Sequence, residues 1–221
     1  MNNRNYSIAI DGPSASGKST IAKKVSQRLN IEYIDTGAMY RAITYKVLSN
    51  NIDPLDVQSV TDLLKTTEID FIDNSIYLDG TIVDNEIREN VVSNNVSYIA
   101  KIKEVRDKLV KLQQFMSRTK SIIMDGRDIG TVVLPNADYK FFVTASVKER
   151  ANRRYQELLD RGEKLISLDS IIADIIRRDE IDSNREIGPL RQSEDSYVLD
   201  TTSKSIEESV NYIITIVTGG N

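Results

Sequence analysis

The chain has 221 residues, 40% of them hydrophobic and 28% charged, with a net charge of −4. That length suits one sizeable α/β domain with room for a small insert, and the acidic balance gives no general attraction to nucleic acid or acidic membranes. The absence of Cys and His excludes disulfides, thiolate nucleophiles, the common structural zinc sites and any Ser-His-Asp arrangement.

Taken in order, the apolar run Ser7–Ile10 precedes Asp11 and then Gly12-Pro13-Ser14-Ala15-Ser16-Gly17-Lys18-Ser19. Thr20 opens a helix in which Ile21, Val25 and Leu29 recur every four residues. G-x-x-x-x-G-K-S between a strand and a helix is the phosphate-binding P-loop pattern. Its glycines let successive N–H groups face one anion, and the helix adds its positive end. Lys18 is expected to reach the outer phosphates of ATP, and the Ser19 hydroxyl to serve Mg²⁺. A glycine-bearing turn that binds nothing is the competing reading, and the flanking strand and helix patterns weigh against it.

Further apolar runs at Glu32–Ile34, Ser121–Met124, Tyr139–Val143 and Tyr197–Leu199 alternate with amphipathic stretches, the pattern of a parallel sheet with right-handed crossovers. Helices are expected to about Asn50 after Asp35-Thr36-Gly37-Ala38-Met39-Tyr40-Arg41, then over 56–65, 90–100, 104–117, 147–161, 168–179 and 206–217. Between Glu68 and Asp84, short apolar segments are parted by Asp73-Asn74 and Asp79-Gly80. Asp-Gly between such runs is a hairpin signal, so a small antiparallel three-stranded insert is expected there.

Four strand runs end on an acid, at Asp11, Asp35, Asp125 and Asp200. Ligands of open parallel sheets sit beyond the carboxyl ends of strands, which makes these acids site candidates. Capping the next turn is the plain alternative for each. Asp125 resembles the acid that holds Mg²⁺ beside a P-loop, and Asp125-Gly126-Arg127-Asp128 adds a cation and a second acid. Arg150, Arg153, Arg154 and Arg161 share one helix among equally many acids, so a salt-bridged solvated face competes with function there. Arg178, Asp182 and Arg185 are expected to lie where the chain leaves its helix, since 179–185 lacks apolar spacing. Planar guanidinium groups there suit phosphate and ribose oxygens.

The segments Asp35–Arg41, Asp125-Gly126-Arg127-Asp128-Ile129-Gly130-Thr131-Val132-Val133 and Arg178–Arg185, together with the P-loop, resemble bacterial cytidylate kinases of the P-loop nucleoside monophosphate kinase family. The resemblance spans nearly the whole chain. It implies an α/β fold with a five-stranded parallel sheet flanked by helices, a small antiparallel three-stranded NMP-domain insert and a helical lid. The core would comprise 1–35 and 119–221, the acceptor-binding region 36–118 with the insert at about 67–84, and the lid about 153–184.

The same resemblance implies transfer of a phosphoryl group from ATP to CMP, with dCMP a second acceptor. Gly12 to Ser19, Thr20, Arg153 and Arg154 would bind ATP. Thr36, Tyr40, Arg41, Ser97, Arg106, Arg127, Asp128, Arg178, Asp182 and Arg185 would bind CMP: Arg41, Arg127 and Arg185 at its phosphate, Arg178 and Asp182 at the ribose, Ser97, Arg106 and Asp128 at the cytosine edge. Lys18, Arg127, Arg178 and Arg185 would carry catalysis, and Ser19 with Asp125 would hold the metal. A cytoplasmic monomer without membrane or nucleic-acid partner is expected. Rival readings are a P-loop kinase for UMP, dTMP or shikimate, and a nucleotide-dependent switch.

Overall fold

The computed structural model describes residues 5–72, 75–163 and 167–220. Chain order gives β1 (Ser7–Asp11), α1 (Lys18–Leu29), β2 (Glu32–Asp35), α2 (Thr36–Ser49) and α3 (Val57–Leu64). There follow β3 (Ile69–Ile72), β4 (Ser75–Leu78), β5 (Thr81–Ile82), α4 (Asn90–Ala100) and α5 (Lys103–Met116). The rest is β6 (Ile122–Gly126), β7 (Tyr139–Thr144), α6 (Val147–Asp160), α7 (Leu168–Asn184), β8 (Tyr197–Asp200) and α8 (Ile206–Thr218).

Five strands form the main sheet in the order β2-β6-β1-β7-β8, every pairing parallel. Both faces of the inner strands β6, β1 and β7 are largely buried, which is why these strands read as continuous apolar runs, while edge strand β8 leaves Tyr197 and Val198 exposed. Alternation sorts them. Ala9, Ile34, Ile122 and Met124 pack under α2 and α5, while Ile8, Ile10, Tyr33, Ile123, Phe141 and Leu199 pack against α1 and α8. Ile8 and Ile10 are fully buried, each contributing about 2–3 kcal/mol of transfer free energy.

The insert forms as expected, with antiparallel pairs β3–β4 and β4–β5. Asp79 and Gly80 both take positive φ, 50° and 79°, the conformation of a tight hairpin turn that matches strand twist. The expected Asp73-Asn74 turn lies outside the described residues. Ile69, Ile76, Leu78 and Val83 join the cluster containing Ile43 and Val47 of α2, so this sheet leans on the helices around it.

One local expectation is corrected. Residues 179–184 stay in the helix: α7 runs to Asn184, and the chain leaves it at Arg185, which takes extended backbone. Its buried face goes on at helical spacing through Ile171, Ile175, Arg178 and Asp182, but the side chains change from apolar to charged, so apolar periodicity alone ends it too early. Beyond β6, residues Ile129–Val133 form a π-helical turn that no local signal announces.

Candidate active site

Gly12 follows β1 where a side chain has no room: a Cβ there would lie 2.0 Å from the Val143 carbonyl oxygen. The loop then closes on itself, with Lys18 Nζ donating to the Pro13 carbonyl at 3.1 Å. Ser14 and Ser16 bury hydroxyls that have no hydrogen-bond partner among the described residues. Arg150 supports the loop from α6, donating to the Ser14 carbonyl at 3.1 Å and pairing with Asp179 at 2.7 Å. Arg153 reaches Thr201, whose hydroxyl donates to the Ser16 carbonyl at 3.1 Å. Arg150 is thus a buried brace and not part of a solvated face.

Asp125 lies beside the loop at the end of β6. Ser19 Oγ donates to its Oδ2 at 2.7 Å, the Tyr33 hydroxyl donates to its Oδ1 at 2.8 Å, and Thr36 Oγ1 donates to its backbone carbonyl at 2.7 Å. Burial raises the Asp125 carboxyl above its ordinary range, and nearby Asp35 adds to the shift. Burial, with the like charge of Arg127, pushes Lys18 down to about 7. Both charges therefore stand in a cavity that penalises them until a partner arrives.

Asp35 caps α2 through the Ala38 amide at 2.8 Å and pairs with Arg41 at 2.9 Å. Asp11 and Asp200 also cap turns, Asp11 on the Ile129 amide and Asp200 on the Thr202 amide. Of the four strand-ending acids, Asp125 alone accepts no backbone amide on its carboxylate among the described residues.

A second set of charges meets around the Gly126–Asp128 turn. Arg127 Nε donates to Asp182 Oδ2 at 2.8 Å. Asp128 accepts from Arg106 on one oxygen and from Arg185 at 3.2 Å on the other. Burial works against ionised Asp182, yet Arg127 and Arg185 outweigh it and hold the carboxyl below its usual range. Arg178 keeps a buried Nε without a partner among the described residues, and burial with neighbouring Arg127 lowers it to about 10. Four guanidinium groups held this close need anions to balance them.

The two sets share one cavity of about 660 Å³. Ser14, Ala15, Gly17, Lys18, Ser19 and Thr20 line it from the loop. Thr36, Tyr40, Arg41, Ser97, Asp125, Arg127, Asp128, Arg153, Arg154, Arg178, Asp182 and Arg185 line the remainder. Arg106 is 1% exposed and stands behind Asp128, while Gly12, Pro13 and Ser16 also lie outside the lining.

Several contributors were not singled out from the sequence. Tyr33, inside a buried strand, gave no signal separate from core packing. Gly188 sits at φ +58°, where a Cβ would fall 2.2 Å from Arg106 and 2.3 Å from Asp128. The dipeptide Gly188-Pro189 was a turn signal that could have found it. Asn90 donates to both Glu163 oxygens at 2.7 and 2.6 Å and accepts from Arg154 at 2.6 Å, joining α4 to α6.

The cytidylate kinase family model matches residues 8–219. The chain belongs to the cytidylate kinase family. A cytidylate kinase of Clostridioides difficile (strain 630) is 54% identical over 95% of this chain and 97% of its own length. That of Alkaliphilus oremlandii (strain OhILAs) is 51% identical over 96% and 97%. Among solved structures, an uncharacterized protein from Eubacterium ventriosum superposes with a TM-score of 0.55 at 10% identity, covering 97% of this chain and 99% of its own. A sugar kinase from Janibacter sp. HTCC2649 gives 0.50 at 13%, covering 97% and 95%. At such identities these two establish the fold alone. Membership of the cytidylate kinase family carries the enzyme class, a phosphotransferase that phosphorylates CMP, and UMP, dTMP or shikimate is not favoured as acceptor. Among the described residues no helix is long and apolar enough to cross a membrane.

Proposed function

We propose that this cytidylate kinase moves the terminal phosphoryl group of ATP directly onto the phosphate of CMP, with dCMP as a second acceptor. One observation carries the reading: Lys18 and Ser19 of the phosphate-binding loop open into the same cavity as Arg41, Arg127, Asp128 and Arg185. ATP would lie along Gly12–Thr20, where backbone N–H groups and the start of α1 face anions. The orphaned hydroxyls of Ser14 and Ser16 suit phosphate oxygens, and Arg153 and Arg154 border the same space.

CMP would place its phosphate among Arg41, Arg127 and Arg185, its ribose by Arg178 and Asp182, and its base by Tyr40, Ser97 and Asp128. Thr36 borders the same pocket. Arg106 would act on the base edge together with Asp128. The acceptor phosphate oxygen is already ionised, so no general base is needed, consistent with a chain that has no His. Lys18, Arg127, Arg178 and Arg185 would spread the charge that develops in transfer.

The Ser19 hydroxyl and the Asp125 carboxylate, 2.7 Å apart, are the hard-oxygen pair that suits Mg²⁺, and they would hold it. Bound there, the ion supplies charge neutralisation on the phosphates. Residues 36–118 serve as the acceptor region and about 153–184 as a lid that excludes water. A cytoplasmic monomer acting on small nucleotides alone completes the reading.

The test is an acceptor panel with coupled ADP detection. CMP and dCMP should support turnover far above UMP, dTMP and shikimate, and ADP formation should be slow without acceptor. Equal rates with and without CMP would overturn it in favour of a nucleotide switch.

A further inference from the structure

Asp128 occupies the position that opens the turn Ile129–Val133, and its carbonyl accepts from the Val132 and Val133 amides at 2.9 and 3.2 Å. An aspartate in that position ordinarily turns its carboxylate back onto the second or third amide of its own turn. Asp128 makes no such bond. Its oxygens face Arg106 and Arg185 instead.

The second of these amides, Gly130 N, is taken from another strand together with the first amide of the turn, Ile129 N. Asp11, at the end of β1 and one residue before Gly12, accepts from Ile129 N on Oδ1 and from Gly130 N on Oδ2, both at 2.7 Å. We propose that Asp11 is a positioning residue for acceptor specificity: by capping this turn in place of Asp128, it frees both Asp128 oxygens for the arginines and the base. The inference rests on the base assignment made above.

The geometry is particular to a carboxylate. Two amides point at two oxygens, whereas an asparagine would offer one acceptor and set an N–H against the other amide. Asp11 is 5% exposed and forms no salt bridge among the described residues. Burial raises its carboxyl to about 7, with Asp128 adding to the shift and Lys18 opposing it. A buried acid without a salt bridge is a costly cap, and a hydroxyl cap on an exposed turn is the cheap alternative. Gly130 permits the approach, since a Cβ there would stand 3.3 Å from Asp11 Oδ2. A cap with structural value alone would alter stability and leave base preference untouched.

A double-mutant cycle on the full-length enzyme separates these outcomes. KM and kcat for CMP, UMP and ATP are measured for Asp11→Asn, Asp128→Ala and the pair, with Tm alongside. Asp11→Asn alone should raise the CMP KM about fivefold, the weight of one lost cap bond, and shrink the CMP-to-UMP preference by a similar factor. The ATP KM should move less than the CMP KM. In the Asp128→Ala background the same change should add nothing to the CMP KM.

An equal rise in both backgrounds, or a lower Tm with unchanged preference, overturns the inference while the base assignment stands. If Asp128→Ala by itself leaves CMP KM and preference unaltered, the base assignment fails and takes the inference with it. Should Asp11→Asn not fold, Gly130→Ala, whose methyl presses on Asp11 Oδ2, goes through the same cycle with the same expected and overturning results.

Discussion

Ser19 donates its hydroxyl to Asp125 Oδ2 across 2.7 Å, and Tyr33 occupies the other oxygen of that carboxylate at 2.8 Å. Asp125→Asn keeps the shape of this cluster and removes its charge. Turnover is expected to fall by about 10²–10³, the loss typical when one preorganised electrostatic group is removed. The Mg²⁺ concentration for half-maximal rate should rise, while affinity for metal-free ATP holds or improves. The folded-state pKa of Asp125 is raised, so its ionisation costs stability as pH climbs through that value. The empty variant should therefore melt higher than wild type at pH 8. A lower Tm with an unchanged Mg²⁺ requirement would count against the assignment.

Lys18 gives a proton-linked test. Burial holds its pKa at about 7 against an ordinary 10.5. The folded form thus binds fewer protons than the unfolded chain between those values. The destabilisation from Lys18 is full below about pH 7 and fades as pH rises toward 10.5. A triphosphate placed beside the amine reverses the shift, so ATP binding at pH 8 should take up as much as one proton. Calorimetry in two buffers of different ionisation enthalpy reads this uptake directly. Lys18→Met should abolish it, cut turnover by about 10²–10³, and leave the fold intact. Buffer-independent enthalpies for wild type would contradict it.

The main sheet was legible in the sequence because its inner strands are buried on both faces and keep unbroken apolar runs, with the loop motif marking where β1 meets α1. The Asp79-Gly80 turn was legible because few residue pairs accept two positive φ values in succession. The end of α7 was not, since Arg178 and Asp182 extend a buried face with charges that look solvent-bound in sequence. Nor was the Ile129–Val133 turn, which is held by Asp11 from 118 residues away. The arginines on α6 illustrate the limit: Arg150 and Arg153 share a pattern with solvated helix faces, and only packing shows that they brace the loop.

Arg185 is 8% exposed and shares Asp128 with Arg106. On the proposed reading, removing it strips one cation from the acceptor phosphate, and it leaves Asp128 with Arg106 alone among the described residues. Truncating one member of such a buried charged set commonly costs 2–5 kcal/mol. Arg185→Ala is accordingly expected to lower kcat/KM for CMP by about 10²–10³, with the ATP dissociation constant within about twofold of wild type. Steady-state kinetics with either substrate varied, plus direct ATP binding, decide the matter. Equal loss toward both nucleotides would remove Arg185 from the acceptor side.

Asn90 links the helix that carries Ser97 to the end of α6, through two bonds to Glu163 and one from Arg154. A neighbouring bond from Arg161 to the Arg88 carbonyl, at 2.9 Å, crosses the same gap. None of these contacts belongs to the arginine set around Asp128; they join the α4 side of the cavity to its α6 side. Each part-buried bond contributes about 1 kcal/mol. Asn90→Ala, which removes three such bonds, should therefore shift the proposed lid toward open by about a hundredfold. Because closure keeps water from the transferring group, ADP release without CMP should rise severalfold, and the CMP KM should rise with it. Glu163→Gln, which keeps a hydrogen-bonding side chain, should show a smaller rise in both. Acceptor-free hydrolysis that stays at the wild-type level in Asn90→Ala would mean that the Asn90 contacts do not govern closure.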